Sequence, residues 1–407
     1  MSFGRDKRNV LVLSICQALF NSGRGLMFLA ATLVGANMLG ENLIFVTAPI
    51  TIMLVGTASG TLPAAHLMRL FGRKVGFVIG SVIGAGGCWI CYTSLPDNNF
   101  LLFNVGMFFY GIYSGFSQQY RFAVADAAPD NFKAKAISLV LAASVVGAVV
   151  GPETAKVTRN LFVDVEFAGS MLALIGLCLA TGLIVTFIDI PKLSREEYAD
   201  KGRPLLDIVA QPTFIVAFIA AAIGYVAMNI LMTATPLSMR LGSNFNFNDT
   251  ALVIEWHIIG MFAPGFFTGH LITRFGHIKV IFAGGLLLLL AVATALNGIT
   301  LTHFWVAMFL VGAGWNFTFT GGTALLTGVY TPSERNKVQG IYDFTVFSFM
   351  ALSSLSSGAI FHFLGWKWVN LSALPMVAIL LTATIWLAWI RRAAPQTAPV
   401  GGIEPLD

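Results

Sequence analysis

Two pairs of soft donor atoms stand out on apolar stretches: Met228 with Met232, and, about one helix later, His257 with Met261. Side chains four residues apart share one face of a helix, so each pair offers two donors to one point. Thioether sulfur and neutral imidazole suit Cu(I), and neither carries negative charge into a low-dielectric site. Together the four form a candidate soft-metal set. Methionine also fills irregular gaps in apolar cores, which is the plain alternative for each pair alone. An imidazole at bilayer depth is costly without a partner, and that weighs toward function for His257.

Other polar groups fall inside the apolar stretches. Arg24 lies in Asn21-Ser22-Gly23-Arg24-Gly25, where glycine allows the backbone to bend toward a ligand. Arg24, Asn21, Glu153 and Glu255 are candidates for coupling or substrate binding, with an ion pair from Arg24 to Glu153 or Glu255 as the structural alternative. Glu255 precedes His257 by two residues and so points to a different face, better placed to tune a site than to ligate. Arg121, Asp126 and Asp343 fall near one membrane end, where gating salt bridges are the expected role, shared with Arg69, Arg73 and Arg274. Cys16, Cys88, Cys91 and Cys178 all sit within spans, which argues against a disulfide framework. Cys88 and Cys91 could pass Cu(I) along, although cysteine is also a small buried hydrophobe. Finally, Trp315-Asn316-Phe317-Thr318-Phe319 and the Tyr110–Tyr120 stretch interleave aromatics with amides and hydroxyls, a pattern able to stack on a flat ring. The period of two in Trp-x-Phe-x-Phe does not keep one helical face.

What must position these residues is a bundle of membrane helices. Of the 407 residues 57% are hydrophobic and only 11% charged, and the mean hydropathy of +0.80 lies outside the range of soluble domains. A span needs about 20 apolar residues. Twelve are expected, at 9–37, 43–68, 75–95, 100–127, 136–158, 167–189, 213–238, 249–272, 279–299, 303–329, 338–361 and 367–390. The first is far longer than a signal-peptide core and is expected to stay in place. With both termini cytoplasmic, 18 of the 24 Lys and Arg fall on the cytoplasmic side, four fall outside, and Arg24 and Arg121 lie within spans. The positive-inside rule is obeyed, so the net charge of +5 reports topology and not nucleic-acid binding.

The chain also repeats itself. Residues 65–73 align with 269–277, and Pro129-Asp130-Asn131-Phe132-Lys133 aligns with Pro332-Ser333-Glu334-Arg335-Asn336. Both offsets are close to half the length. The reading is an all-α polytopic membrane protein with two six-helix halves, 1–189 and 213–407, joined by a charged cytoplasmic linker at 190–212. Parallel repeats around a central path are the design of alternating-access carriers.

The turn after the second span resembles the G-x-L-x-D-R-x-G-R-K signature of the major facilitator superfamily. Gly72, Arg73 and Lys74 fit it in the first half, and Gly269, Leu271, Arg274, Gly276 and Lys279 in the second. Arg69 stands where the pattern has Asp. Gly147-x3-Gly151-Pro152 resembles the superfamily's Gly-Pro motif. The Met-x3-Met and His-x3-Met pairs on consecutive spans further resemble CcoA-type copper importers of bacterial cytoplasmic membranes. That likeness implies Met228, Met232, His257 and Met261 as copper ligands, copper as the imported substrate for cytochrome oxidase assembly, a cytoplasmic copper chaperone as partner, and a monomer in inner-membrane lipid. No cofactor is expected. A related group resembles riboflavin transporters, so a planar organic solute stays open beside copper, as does drug or metabolite export. No nucleophile-and-base cluster and no phosphate loop occurs, which speaks against an enzyme and against ATP as the energy source.

Overall fold

In a bilayer every backbone polar group has to be satisfied internally, and a helix does this within one segment. The computed structural model describes residues 2–39, 48–190 and 202–393, and among these the expected spans are helical and no strand occurs. The first half comprises α1 (Ser2–Leu39), α2 (Ala48–Phe71), α3 (Arg73–Ser94), α4 (Phe100–Ser117), α5 (Tyr120–Ala127), α6 (Lys133–Ala142), α7 (Ser144–Thr158) and α8 (Ala168–Ile184). After the short α9 (Leu205–Val209), the second half comprises α10 (Pro212–Leu237), α11 (Phe247–Phe262), α12 (Gly265–Phe275), α13 (His277–Asn297), α14 (Leu301–Leu326) and α15 (Arg335–Ala393), which breaks into two arms at Gly365. The pairs α4 and α5, α6 and α7, and α11 and α12 each make up one span, which gives twelve crossings.

Among the described residues, eleven spans are long and apolar enough to cross a membrane. The other is α14, whose threonines, glycines and Asn316 lower its hydropathy. Its position explains how it tolerates them: from Val311 to Leu326 every residue except Phe317 is buried, so neighbouring helices and not lipid surround it. Two of its polar side chains bond within the bundle. Thr318 donates to the Gly314 carbonyl (3.0 Å), and Asn316 donates to the Met261 carbonyl (2.7 Å) and accepts from Thr268 (2.7 Å).

The internal repeat is visible in the backbone. Gly72 (φ 87, ψ 162) and Gly276 (φ 84, ψ 159) occupy the same conformation between the second and third helical spans of each half. That region is open essentially to glycine alone. Residues 191–201 of the linker and the tail from 394 lie outside the described residues. The linker's far end is pinned to the second half: Arg203 donates from Nε (2.8 Å) and Nη2 (2.7 Å) to Glu334, which also accepts from the Thr331 amide (2.9 Å). Arg203 thereby draws the Glu334 carboxyl down to about 2. The clamp's contribution is therefore complete above the ordinary carboxylate range and is lost only as pH falls through about 2.

The halves meet most closely at the end of the bundle that carries Arg73, Lys133 and Arg335, hereafter the basic end. There α2 packs along the first arm of α15, with Ala65 where a side chain on Gly340 would stand, and α6 packs on α12. The Ser138 hydroxyl clamps that second contact, donating to the Gly265 carbonyl and accepting from the Gly269 amide (2.9 Å). The continuations α7 and α11 touch far less.

At Gly276 no atom crowds an added Cβ, so Gly276→Ala tests backbone conformation alone. It is expected to destabilise by about 1–3 kcal/mol and lower the melting temperature in detergent. Gly176→Ala, at an open helical position, should not lower it.

Candidate functional site

Charges in a low-dielectric interior have to be paired, and here some partners come from the same half and some from the opposite one. Arg73 donates to Asp126 from Nη2 (2.7 Å) and Nε (3.2 Å), with both side chains almost fully buried. The same guanidinium reaches Gln339 of the second half, and Arg335 lies 3.7 Å from Asp126. One layer deeper Arg121 pairs with Asp343 across the halves, with side-chain exposures of 1% and 0%. Gln119 joins the two layers, since its Oε1 accepts from Arg73 (3.1 Å) and its Nε2 donates to Asp343 (3.1 Å). Gln118 and Gln119 sit at the break between α4 and α5, and Gln118 adds a carbonyl (2.8 Å) and an amide oxygen (3.1 Å) for Arg121.

An aromatic floor rests on this network. The Arg121 guanidinium lies between the rings of Phe122 and Phe319, 4.6 Å from each centroid. Phe319 stacks on Trp315 at 5.0 Å and 14°, and Tyr225 meets both edge-on, at 4.9 and 5.2 Å. Phe347 closes the cluster at 5.5 Å from Tyr225. From the first half, Arg24 reaches the Tyr225 hydroxyl and stands near Tyr110. Helices α1 and α10 do not pack along one another, so only long side chains such as Arg24 bridge the space between them. The indole Nε1 of Trp315 and the hydroxyl of Tyr110 are buried with no hydrogen-bond partner among the described residues. Arginine, indole, and tyrosine hydroxyls together make a donor-rich rim on an apolar, flat-walled site.

The helices that carry the four soft donors are held mainly through α14. Helices α10 and α11 each pack on α14 and not along each other. His257 is wholly buried with Nδ1 on the Met308 carbonyl of α14 (2.8 Å). Met228 lies seven residues before Thr235, whose hydroxyl reaches the Met308 sulfur (3.0 Å), and so shares the face turned to α14. Met232 is half-buried and Met261 buried. No cluster of three or more His, Cys, Asp and Glu able to hold a metal occurs among the described residues. The packing therefore gives no support to one four-donor site.

Several expected pairings are corrected as well. Glu153 is exposed and bonds Lys156 one turn away (2.5 Å), and Glu255 is exposed on the side of α11 opposite His257, so neither serves Arg24 as an ion-pair partner. Asn21 ties α1 to α7 through Ser144 (2.9 Å), and α1 runs unbroken through its glycines, which admit close packing and not a bend. Arg274 is exposed over the Phe275 ring and stands outside the buried network, and Arg69 is half-buried next to it in sequence terms but forms none of its bonds given above. Cys88 and Cys91 are buried in the first half, where Cys91 donates to the Phe103 carbonyl.

A sequence profile of the Major Facilitator Superfamily matches residues 13–263 and 217–405. The chain belongs to this superfamily. It is 39% identical over 381 residues to the riboflavin transporter RfnT of Brucella anthropi, covering 93% of this chain and 95% of that protein. It is 28% identical to YdeG, an uncharacterised transporter of this type from Bacillus subtilis, over 87% and 85% of the two chains. The fold superposes on the crystal structure of the facilitator FucP in its outward conformation with a TM-score of 0.74, at 13% identity over 93% and 98% of the chains. The protein is thus a multi-pass secondary transporter and not an enzyme. In this facilitator the sequence reading missed Gln339 and Tyr225, and took Gln119 only as one amide of the Tyr110–Tyr120 stretch and not as the link between two ion pairs. Neutral side chains carry no charge signal, and only Trp315 with Phe319, four residues apart on α14, was open to detection by helical spacing.

Breaking a buried pair strands its partner, so Asp126→Asn is expected to cost about 3–5 kcal/mol. Adding Arg73→Gln should recover part of that loss, measured as a non-additive double-mutant cycle in thermal unfolding.

Proposed function

We propose that this facilitator carries a neutral planar solute of the riboflavin class, inward across a bacterial cytoplasmic membrane, with the basic end and both termini on the cytoplasmic side. The observation that carries the reading is the stacked Trp315–Phe319 wall with Tyr225 against it and Arg24 reaching across from the other half. Aromatic faces take the plane of a ring. The donors of Arg24, Tyr225 and Trp315 suit an edge that bears carbonyl oxygens, as the pyrimidine-like edge of a flavin does. Among the described residues the one wholly buried carboxylate at membrane depth, Asp343, is already engaged by Arg121, which disfavours a cationic drug as cargo. The identity to RfnT supports the same solute. Copper import rests on the two spaced pairs alone, and their helices turn to α14 separately.

Purified protein should quench riboflavin fluorescence on binding. Trp315→Leu and Arg24→Gln are each expected to weaken that binding about tenfold or more. In cells unable to make riboflavin, uptake of the labelled vitamin should depend on the wild-type chain, while Met232→Ala and His257→Ala leave copper accumulation unchanged. Copper accumulation that requires both side chains, without any riboflavin uptake, would overturn the proposal.

A further inference from the structure

A thiol inside a membrane span is shielded from water-borne reagents, yet a bilayer also dissolves redox carriers that are themselves apolar. We propose that Cys88 and Cys178 form a redox-active dithiol, oxidised to a disulfide between α3 and α8 by a quinone dissolved in the lipid. The inference goes beyond the transport reading and does not depend on the identity of the solute.

The faces of α3 assign the pair. Helix α3 packs on α4 and, along another face, on α8. Gly84 and Gly87 abut Tyr113 and the α4 backbone. Cys91, four residues after Gly87, follows them: its sulfur stands against Gly106 of α4 and donates to the Phe103 carbonyl (3.5 Å). Ser81 looks the other way, where a Cβ added at Gly182 of α8 would come within 3.0 Å of its own Cβ. Cys88 is seven residues after Ser81 and Cys178 four before Gly182, so both thiols lie on this close seam. There the Cys88 thiol meets that of Cys178 in a hydrogen bond. Cys16 turns to the Thr181 carbonyl (3.9 Å). The reactive pair is therefore not Cys88 with Cys91, and each of two helices supplies one partner.

The surroundings select the oxidant. Both thiols are buried and free. Helix α8 has no charged residue, and α3 has only Arg73 and Lys74 at its start. Trp89 and Leu179, each next in the chain to a cysteine of the pair, are exposed at membrane depth, so lipid and not water borders the seam. An ionic oxidant would have to shed its hydration to arrive, whereas an uncharged quinone meets no such cost. In the reaction two S–H bonds break and one S–S bond forms, and two electrons and two protons pass to the quinone oxygens to give a quinol. No species on either side carries charge, as a low-dielectric seam requires. A disulfide also needs its two α-carbons within about 7 Å, which the close approach of α3 and α8 favours. Tyr110 stands beside both sulfurs, and its hydroxyl lies next to Gly23, one residue from Arg24. The pair is thus one side chain away from the central space.

Mass spectrometry on the unsubstituted full-length protein tests this without a variant that has to fold. Sealed vesicles are exposed to decylubiquinone or to glutathione disulfide, free thiols are trapped with N-ethylmaleimide under denaturing conditions, and the peptides are mapped. Decylubiquinone should raise a dithiothreitol-sensitive bridge between Cys88 and Cys178 at least about fivefold over untreated vesicles, and glutathione disulfide should not. Cys91→Ser and Cys16→Ser should keep the bridge, and Cys88→Ser should leave Cys178 as a free thiol. Absence of the bridge after quinone, an equal yield with glutathione disulfide, or bridging of Cys88 to Cys91 in place of Cys178 overturns the proposal.

Discussion

The structure turns on one electrostatic constraint: a charge taken into a membrane interior needs its counter-charge within contact distance in every state that lasts. In this chain that requirement is met in part between halves. Arg73 with Gln339, Arg335 with Asp126, and Arg121 with Asp343 are partners only while the two bundles are apposed, whereas Arg73 and Asp126 pair within the first half. The stable arrangement is therefore a closed one, and opening needs something that substitutes for the lost partner. A carrier cycle follows from that bistability, because packed interfaces switch between discrete arrangements and do not deform gradually.

The tenth span, α14, organises the second half around the same need. It carries polar residues that lipid would reject, and it is sheltered from lipid on nearly all sides. In return it offers Trp315 and Phe319 to the centre, the Met308 carbonyl to His257, and the Asn316 amide to the α11–α12 break. The metal-like pairs and the aromatic wall are thus both features of how neighbours pack on α14. On one side that packing engages Nδ1 of His257 and the hydroxyl of Thr235. On the other it stacks Trp315 on Phe319, with the indole N–H left without a hydrogen-bond partner among the described residues.

Met228 and Met232 lie on one helix as their spacing expects, while Trp315 and Phe319, read in the sequence only as part of a period-of-two run that keeps no single face, are four apart, share a face and stack. Where a role depends on which neighbour a face meets, local spacing is silent. Helices α10 and α11 are consecutive along the chain yet pack on α14 and not along one another, a neighbour relation that local spacing does not give. Arg24 is expected beside a carboxylate and reaches Tyr225 instead, because Glu153 and Glu255 sit on exposed faces that no spacing argument could rank.

Composition and periodicity by themselves determined that this chain is a twelve-span membrane bundle, since apolar length and the placement of Lys and Arg are properties of the covalent order. The same order determined the internal repeat, down to Gly72 and Gly276, because a backbone angle closed to other residues leaves a mark in the sequence. Only the tertiary structure decided the site. Arg121 and Asp343 are 222 residues apart, and Gln119 acquires a role only by lying between two ion pairs. Those partnerships arise from the apposition of two separately wound halves, and nothing in the local chemistry of either strand of sequence encodes which side chains that apposition brings into contact.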